Sequence, residues 1–291
     1  MTANDLSVYS TILAAVPIRV AGHPALSRAI NVATRSQGAV TLIHVIEQAD
    51  EKTEPARRYV EQLMSSQPLV RDMRLVAGRT WSAINEIADS IKANLIVLGS
   101  HVHGQLRALL GGTSDRILHH ANRDVLVVRS EIYTEHLLPK DYTHVLAAID
   151  INRPSQWIAD RAVAVAQTYC AKLTLLHVLE HYPVNRENQY ITPEDRDPVQ
   201  YQRAIKAEIL AKMTMATGYS ETAQDVVVTN ETARRPIPAY AQKHGVDLII
   251  IGAHGEYGVD VLFGATADAV VHRAPCDVLV VYQPIDRIQR A

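Results

Sequence analysis

Along the 291-residue chain, short and uninterrupted apolar runs alternate with longer amphipathic stretches. Runs such as 95–98 and 248–251 are rich in Ile, Leu and Val and show no polar alternation, the pattern of strands buried on both faces. Between such runs lie helix-length segments that come in pairs: 25–36 and 155–170, with Pro24 and Pro154 near their starts, then 54–67 and 202–217, 82–91 and 237–244, and 113–120 and 267–273. Weaker strands fit 73–76 and 226–228. Strands alternating with helices imply right-handed crossovers and parallel pairing. The predicted fold is α/β: two repeated Rossmann-like or flavodoxin-like domains, each a five-stranded parallel doubly wound sheet.

The pairing of segments is a sequence repeat. Ile12-Leu-Ala-Ala-Val16 is echoed by Val145-Leu-Ala-Ala-Ile149, and Leu42-Ile-His-Val-Ile-Glu47 by Leu175-Leu-His-Val-Leu-Glu180, both at an offset of 133. Further on the offset is 153: Asn94-Leu-Ile-Val-Leu-Gly99 matches Asp247-Leu-Ile-Ile-Ile-Gly252, and Asp124-Val-Leu-Val-Val128 matches Asp277-Val-Leu-Val-Val281. Two constant offsets separated by one jump of 20 describe a duplicated domain with a single insertion. The domains are 1–140 and 141–291. The insertion falls at about 181–200, where Pro183, Pro193, Pro198 and many polar residues predict a surface loop near the mouth of the second domain's crevice.

Open parallel sheets bind ligands beyond the carboxyl ends of strands where the winding reverses. In the second repeat, Asp150 follows the first strand, and Gly252-Ala-His-Gly255 opens a turn after the fourth, with Gly264 just before the last helix. Glycines let backbone N–H groups approach a phosphate, and a helix N-terminus favours an anion. A carboxylate at Asp150 would accept hydrogen bonds from an adenine amine or a ribose hydroxyl. The same residues read equally as tight turns and a loop cap, and spacing alone leaves both readings open.

The segments 145–150 and 274–281, His177-Val178, Ile251-Gly252-Ala-His-Gly255 and Gly264-Ala-Thr-Ala-Asp268 together resemble the universal stress protein family, in a tandem, E-type-like form that spans nearly the whole chain. The resemblance implies an intramolecular pseudo-dimer joined through the last strand of each repeat. It also implies a small-molecule crevice of the adenine-nucleotide class, ATP in the nucleotide-binding branch, lined by Asp150, Val178, Ile251, Gly252, Gly255, Gly264, Ala265 and Thr266. The chain departs from that branch's G-x2-G-x9-G-(S/T). Eight residues separate Gly255 from Gly264 and Ala265 stands at the hydroxyl position, although Thr266 follows. The first repeat departs further: Pro17 replaces the aspartate, Val102 the second glycine, and Gly112 the hydroxyl residue. The resemblance thus implies a degenerate site in the first repeat and an altered one in the second.

Charge and composition narrow the function. Net charge is −2, with 15 basic against 13 acidic residues up to position 140 and 14 against 18 beyond it, so neither half offers a nucleic-acid track or a membrane patch. No apolar run reaches membrane-spanning length, and residues 1–10 hold no Lys or Arg, which predicts a cytoplasmic protein. Cys170 and Cys276 lie in different halves and read as small buried or half-buried side chains. His101, His103, His119 and His120 lack the Cys or paired carboxylates that would complete a metal site, and no metal is expected. No Ser-His-Asp, Cys-His or paired-carboxylate set is assignable, so no catalytic residue is named. The expectation is a non-catalytic stress-response protein. An ATP-binding protein with slow hydrolysis or a signalling role, or a carrier of an apolar or acyl molecule, are the alternatives, and two such chains are free to associate further.

Overall fold

A computed structural model describes residues 8–16, 24–46, 58, 64–65, 67–100, 112–129, 139–152, 155–180, 198–219, 223–229, 231–253 and 263–283, the side chains of 198–202 and 228 excepted. The first repeat contributes β1 (Thr11–Ala15), α1 (Pro24–Ser36), β2 (Ala39–Ile46), β3 (Val70–Ala77), α2 (Thr80–Ser90), β4 (Leu95–Gly99), α3 (Gly112–His120) and β5 (Asp124–Val128). The second contributes β6 (His144–Ala148), α4 (Gln156–Tyr169), β7 (Lys172–Leu179), α5 (Pro198–Thr217), β8 (Ala223–Val228), α6 (Pro236–His244), β9 (Leu248–Gly252), α7 (Ala265–Arg273) and β10 (Asp277–Val281). Helix α5 begins four residues before the start read from the sequence, so the tail of the expected insertion loop is helical. Of the predicted helix 54–67, only 58, 64, 65 and 67 are described; residues 181–197 lie outside the described set.

The ten strands form one sheet in the order β3-β2-β1-β4-β5-β10-β9-β6-β7-β8, parallel throughout except where β5 meets β10. That antiparallel joint pairs Val278 with Val127, Leu279 with Leu126 and Val280 with Val125, and it covers two edges that would otherwise be open to association. Successive strand residues face opposite sides. Leu95, Val97, Leu248 and Ile250 join one core with α1, α4 and α5, whereas Ile96, Leu98, Ile249 and Ile251 join the other with α2, α3, α6 and α7. Both faces are therefore covered, which is why these strands are continuously apolar.

Polar residues at the ends of β5 and β10 build the joint. Asp124 accepts from the Tyr9 hydroxyl at 2.7 Å and pairs with Arg161 of the other repeat at 2.9 Å. Asp277 accepts from the Tyr142 hydroxyl at 2.8 Å and pairs with Arg28 of the other repeat at 3.0 Å. The second carboxylate oxygens accept the backbone N–H of Tyr282 and of Arg129. Every member has its counterpart in the other repeat at one of the two offsets, so two like clusters cross the interface in opposite directions. Burial pushes the Tyr9 phenol well above its ordinary range, and the Asp124 carboxylate reinforces this, so Tyr9 donates as a neutral hydroxyl. Burial also raises the Asp124 carboxyl, and the Arg161 guanidinium opposes that shift.

The start of β6 is fixed by Asp247, whose Oδ2 accepts from the N–H groups of Thr143 and His144 and from the Thr143 hydroxyl. Asn94 serves β1 in the same way through the Thr11 N–H. The His144 ring contacts the His244 carbonyl through Nδ1 and the Thr174 hydroxyl through Nε2. Burial lowers its pKa below the ordinary 6.5. The folded state thus binds this proton more weakly than the unfolded chain, and stability contributed by His144 is present above that value and lost as pH falls through it. Urea midpoints measured from about pH 8 to about pH 5.5 should fall, and fall less in His144→Gln. An equal slope in the variant would remove His144 from the explanation.

Candidate functional site

In the second repeat the winding reverses between β6 and β9, which are neighbours in the sheet although three strands apart in that repeat's order. The carboxyl ends of these strands bring together most of the residues singled out from the sequence. Asp150 follows β6, Ile251 and Gly252 end β9, Gly264 caps α7, and Ala265 and Thr266 begin that helix. Val178 lies near the end of β7; it, Ile251 and Phe263 are buried in the core on one face of the sheet. Asp150, Gly252, Gly264 and Thr266 are partly exposed and Ala265 is exposed. Gly255 lies outside the described residues.

The chain around Asp150 is stiffly held. The Ile149 N–H donates to the Leu176 carbonyl at 2.8 Å, and the Ile149 carbonyl accepts from His177 Nδ1 at 2.8 Å. A carbonyl only accepts, so Nδ1 of His177 carries the proton. His44 makes the same contact with the Val16 carbonyl at 3.0 Å, which assigns the repeated Leu-His-Val motif to anchoring the end of each repeat's first strand. Asp150 Oδ1 accepts from the Asn152 N–H at 3.0 Å, and the Asp150 carbonyl accepts from the Ser155 hydroxyl at 2.7 Å. These bonds hold the Asp150 carboxylate just beyond β6 and tie its backbone to the residue before α4.

The two described glycines of the motif serve packing and loop closure. A Cβ at Gly252 would stand 2.9 Å from Ile158 Cδ1 and 3.2 Å from Trp157 Cη2, so its bare Cα face is covered by the first turn of α4. The Gly264 N–H donates to the Ala253 carbonyl at 2.7 Å, and the Gly264 carbonyl accepts from the Asp268 N–H. Trp157 was not legible as a site residue: it reads as an ordinary helix position, and only the crossing of α4 over β9 brings it to Gly252. In the first repeat, Pro24 stands at the position matching Trp157, and Pro17, His101, His103, Gly111 and Val102 lie outside the described residues.

The remaining candidates have structural surroundings. His119 stands beside Asp115 and packs edge-on against Phe263 of the other repeat, and His120 stacks on Trp81. Among the described residues no group of three or more His, Cys, Asp or Glu is placed to hold a metal ion. Arg234 and Arg235 are exposed at the entry to α6. Cys276 is buried, which pushes its thiol far up. Cys170 corrects the expectation of a buried or half-buried side chain: it is exposed, because α4 ends on it in the left-handed region, at φ 51°. No described helix is long and apolar enough to cross a membrane.

This is the class of duplicated, doubly wound α/β proteins, with a topological switch between the first and fourth strands of each repeat. The profile of the universal stress protein family matches the chain twice, over residues 9–129 and 141–282, and the chain belongs to that family. It is 35% identical over 148 residues to "Universal stress protein A homolog 1" of Coxiella burnetii, a match covering 48% of this chain and 96% of that protein. A functionally unknown protein from Pseudomonas aeruginosa PAO1 superposes with a TM-score of 0.73 at 19% identity, covering 99% of this chain and 97% of that one. A universal stress protein from Archaeoglobus fulgidus DSM 4304 superposes with a TM-score of 0.61 at 16% identity, covering 94% and 98%. These two structures share the fold.

Proposed function

We propose that this chain is a non-catalytic, cytoplasmic stress-response protein whose second-repeat crevice holds a small molecule of the adenine-nucleotide class, while its first repeat serves assembly. The observation that carries the reading is the inequality of the repeats. Asp150 stands at the switch point between β6 and β9, held by Asn152, Ser155 and the anchored Ile149, whereas the matching position of the first repeat is Pro17, which has neither a carboxylate nor a backbone N–H. A second reading, a carrier of an apolar or acyl molecule, draws on the buried apolar residues Val178, Ile251 and Phe263 and on Ala265 in place of a hydroxyl residue.

Losing a charge-assisted hydrogen bond weakens binding by about ten- to a hundredfold. Calorimetric titration of ATP and AMP into the parent protein and Asp150→Ala should show weak binding that drops by that factor in the variant. Undiminished binding to Asp150→Ala would remove the second crevice as the nucleotide site. Native mass spectrometry of the purified protein separates the readings, with a co-purifying adenine nucleotide supporting the first and an acyl compound the second.

A further inference from the structure

We propose that Trp157 sets the ligand class of the second crevice by shutting phosphate away from Gly252, so that the site takes a nucleoside-like group in preference to a nucleoside polyphosphate. This inference rests on the reading of that crevice as an adenine-type site. A glycine after a strand serves a phosphate because no Cβ bars the approach to the backbone. At Gly252 that space is filled from within the protein: Ile158 Cδ1 and the Cη2 and Cζ2 atoms of Trp157 lie 2.9, 3.2 and 3.3 Å from where a Cβ would stand. Further along the chain, the Gly264 N–H is already engaged by the Ala253 carbonyl at 2.7 Å. Ala265 follows without a hydroxyl to donate to a phosphate oxygen.

Each of these three features removes a contact that a polyphosphate would use at Gly252, Gly264 or Ala265. Asp150 is partly exposed just after β6, and Trp157 brings a half-buried aromatic ring to the end of β9. Flat heteroaromatic groups gain from such surfaces through burial and stacking, whereas phosphates gain nothing there. Trp157 is therefore a specificity-determining residue. Its counterpart in the first repeat, Pro24, carries no comparable side chain.

The test compares adenosine with ATP. Trp81 and Trp157 are the two tryptophans of the chain, so in Trp81→Phe the fluorescence reports Trp157 alone. Adenosine should quench that signal, and ATP should bind no more tightly than adenosine. In Trp157→Ala, calorimetry should show ATP gaining about tenfold relative to adenosine. Trp157→Leu, which keeps an apolar side chain for the α4–β9 contact, should give a smaller gain in the same direction and stands in if the alanine variant does not fold. An ATP-to-adenosine affinity ratio that stays the same in both variants would overturn the role of Trp157 and leave the crevice as a nucleoside site. Adenosine that fails to bind, or binds without changing Trp157 fluorescence, would overturn the reading of the crevice and this inference with it.

Discussion

Replacing Asp277 with alanine is expected to cost about 3–5 kcal/mol of folding stability, because it strands the other members of a buried cluster. Asp277 is 2% exposed and accepts from Arg28 Nε, the Tyr142 hydroxyl and the Arg129 N–H. Without it Arg28, itself buried, loses the carboxylate that pairs with its Nε at 3.0 Å, while bonds such as those to the Lys140 carbonyl and Asn31 remain. Arg28→Ala should cost a comparable amount. The double variant should cost clearly less than the sum of the two, because neither charge is then left buried alone. The exposed pair Lys212–Glu208 is the control, and its removal should barely move the denaturation midpoint. Urea unfolding of the four proteins decides the matter, and additive losses would show that the pair is not coupled.

That cluster also shows what the sequence could convey about the molecule. The two offsets that reveal the duplication already equate Tyr9 with Tyr142, Arg28 with Arg161 and Asp124 with Asp277. Each residue on its own, however, reads as a polar position at the edge of an element, and its partner lies 115 to 249 positions away or in the other repeat. Strands β4, β5, β9 and β10 were legible because burial on both faces leaves an unbroken apolar run. The early start of α5 was hidden by the prolines and polar residues of 181–200, the composition of a loop. At the crevice, the chain order of Asp150, Gly252 and Gly264 located the switch point, but the use of each glycine depends on tertiary packing. Local sequence cannot tell a glycine kept bare for a ligand from one kept bare for Trp157.

Leu279→Ala is expected to cost about 4–5 kcal/mol, at the upper end for a buried leucine. Leu279 is 2% exposed and pairs in register with Leu126, its own counterpart in the first repeat, at the centre of the joint. A small pocket of about 20 Å3, roughly the room of one water, already lies there, lined by both leucines and by Tyr9, Tyr142, Val32 and Val165. The cost of such a truncation depends on whether the surroundings collapse into the space left behind. Here α1 and α4 cannot close in freely, because Arg28 ties α1 to β10 and Arg161 ties α4 to β5. The alanine variant should therefore hold an enlarged and mostly apolar cavity. Benzene should bind it and raise the variant's melting temperature progressively as its concentration increases, with no effect on the parent protein. A loss of about 1 kcal/mol or less, or a variant indifferent to benzene, would mean that the joint relaxes and that the crossed ion pairs do not hold the two helices apart.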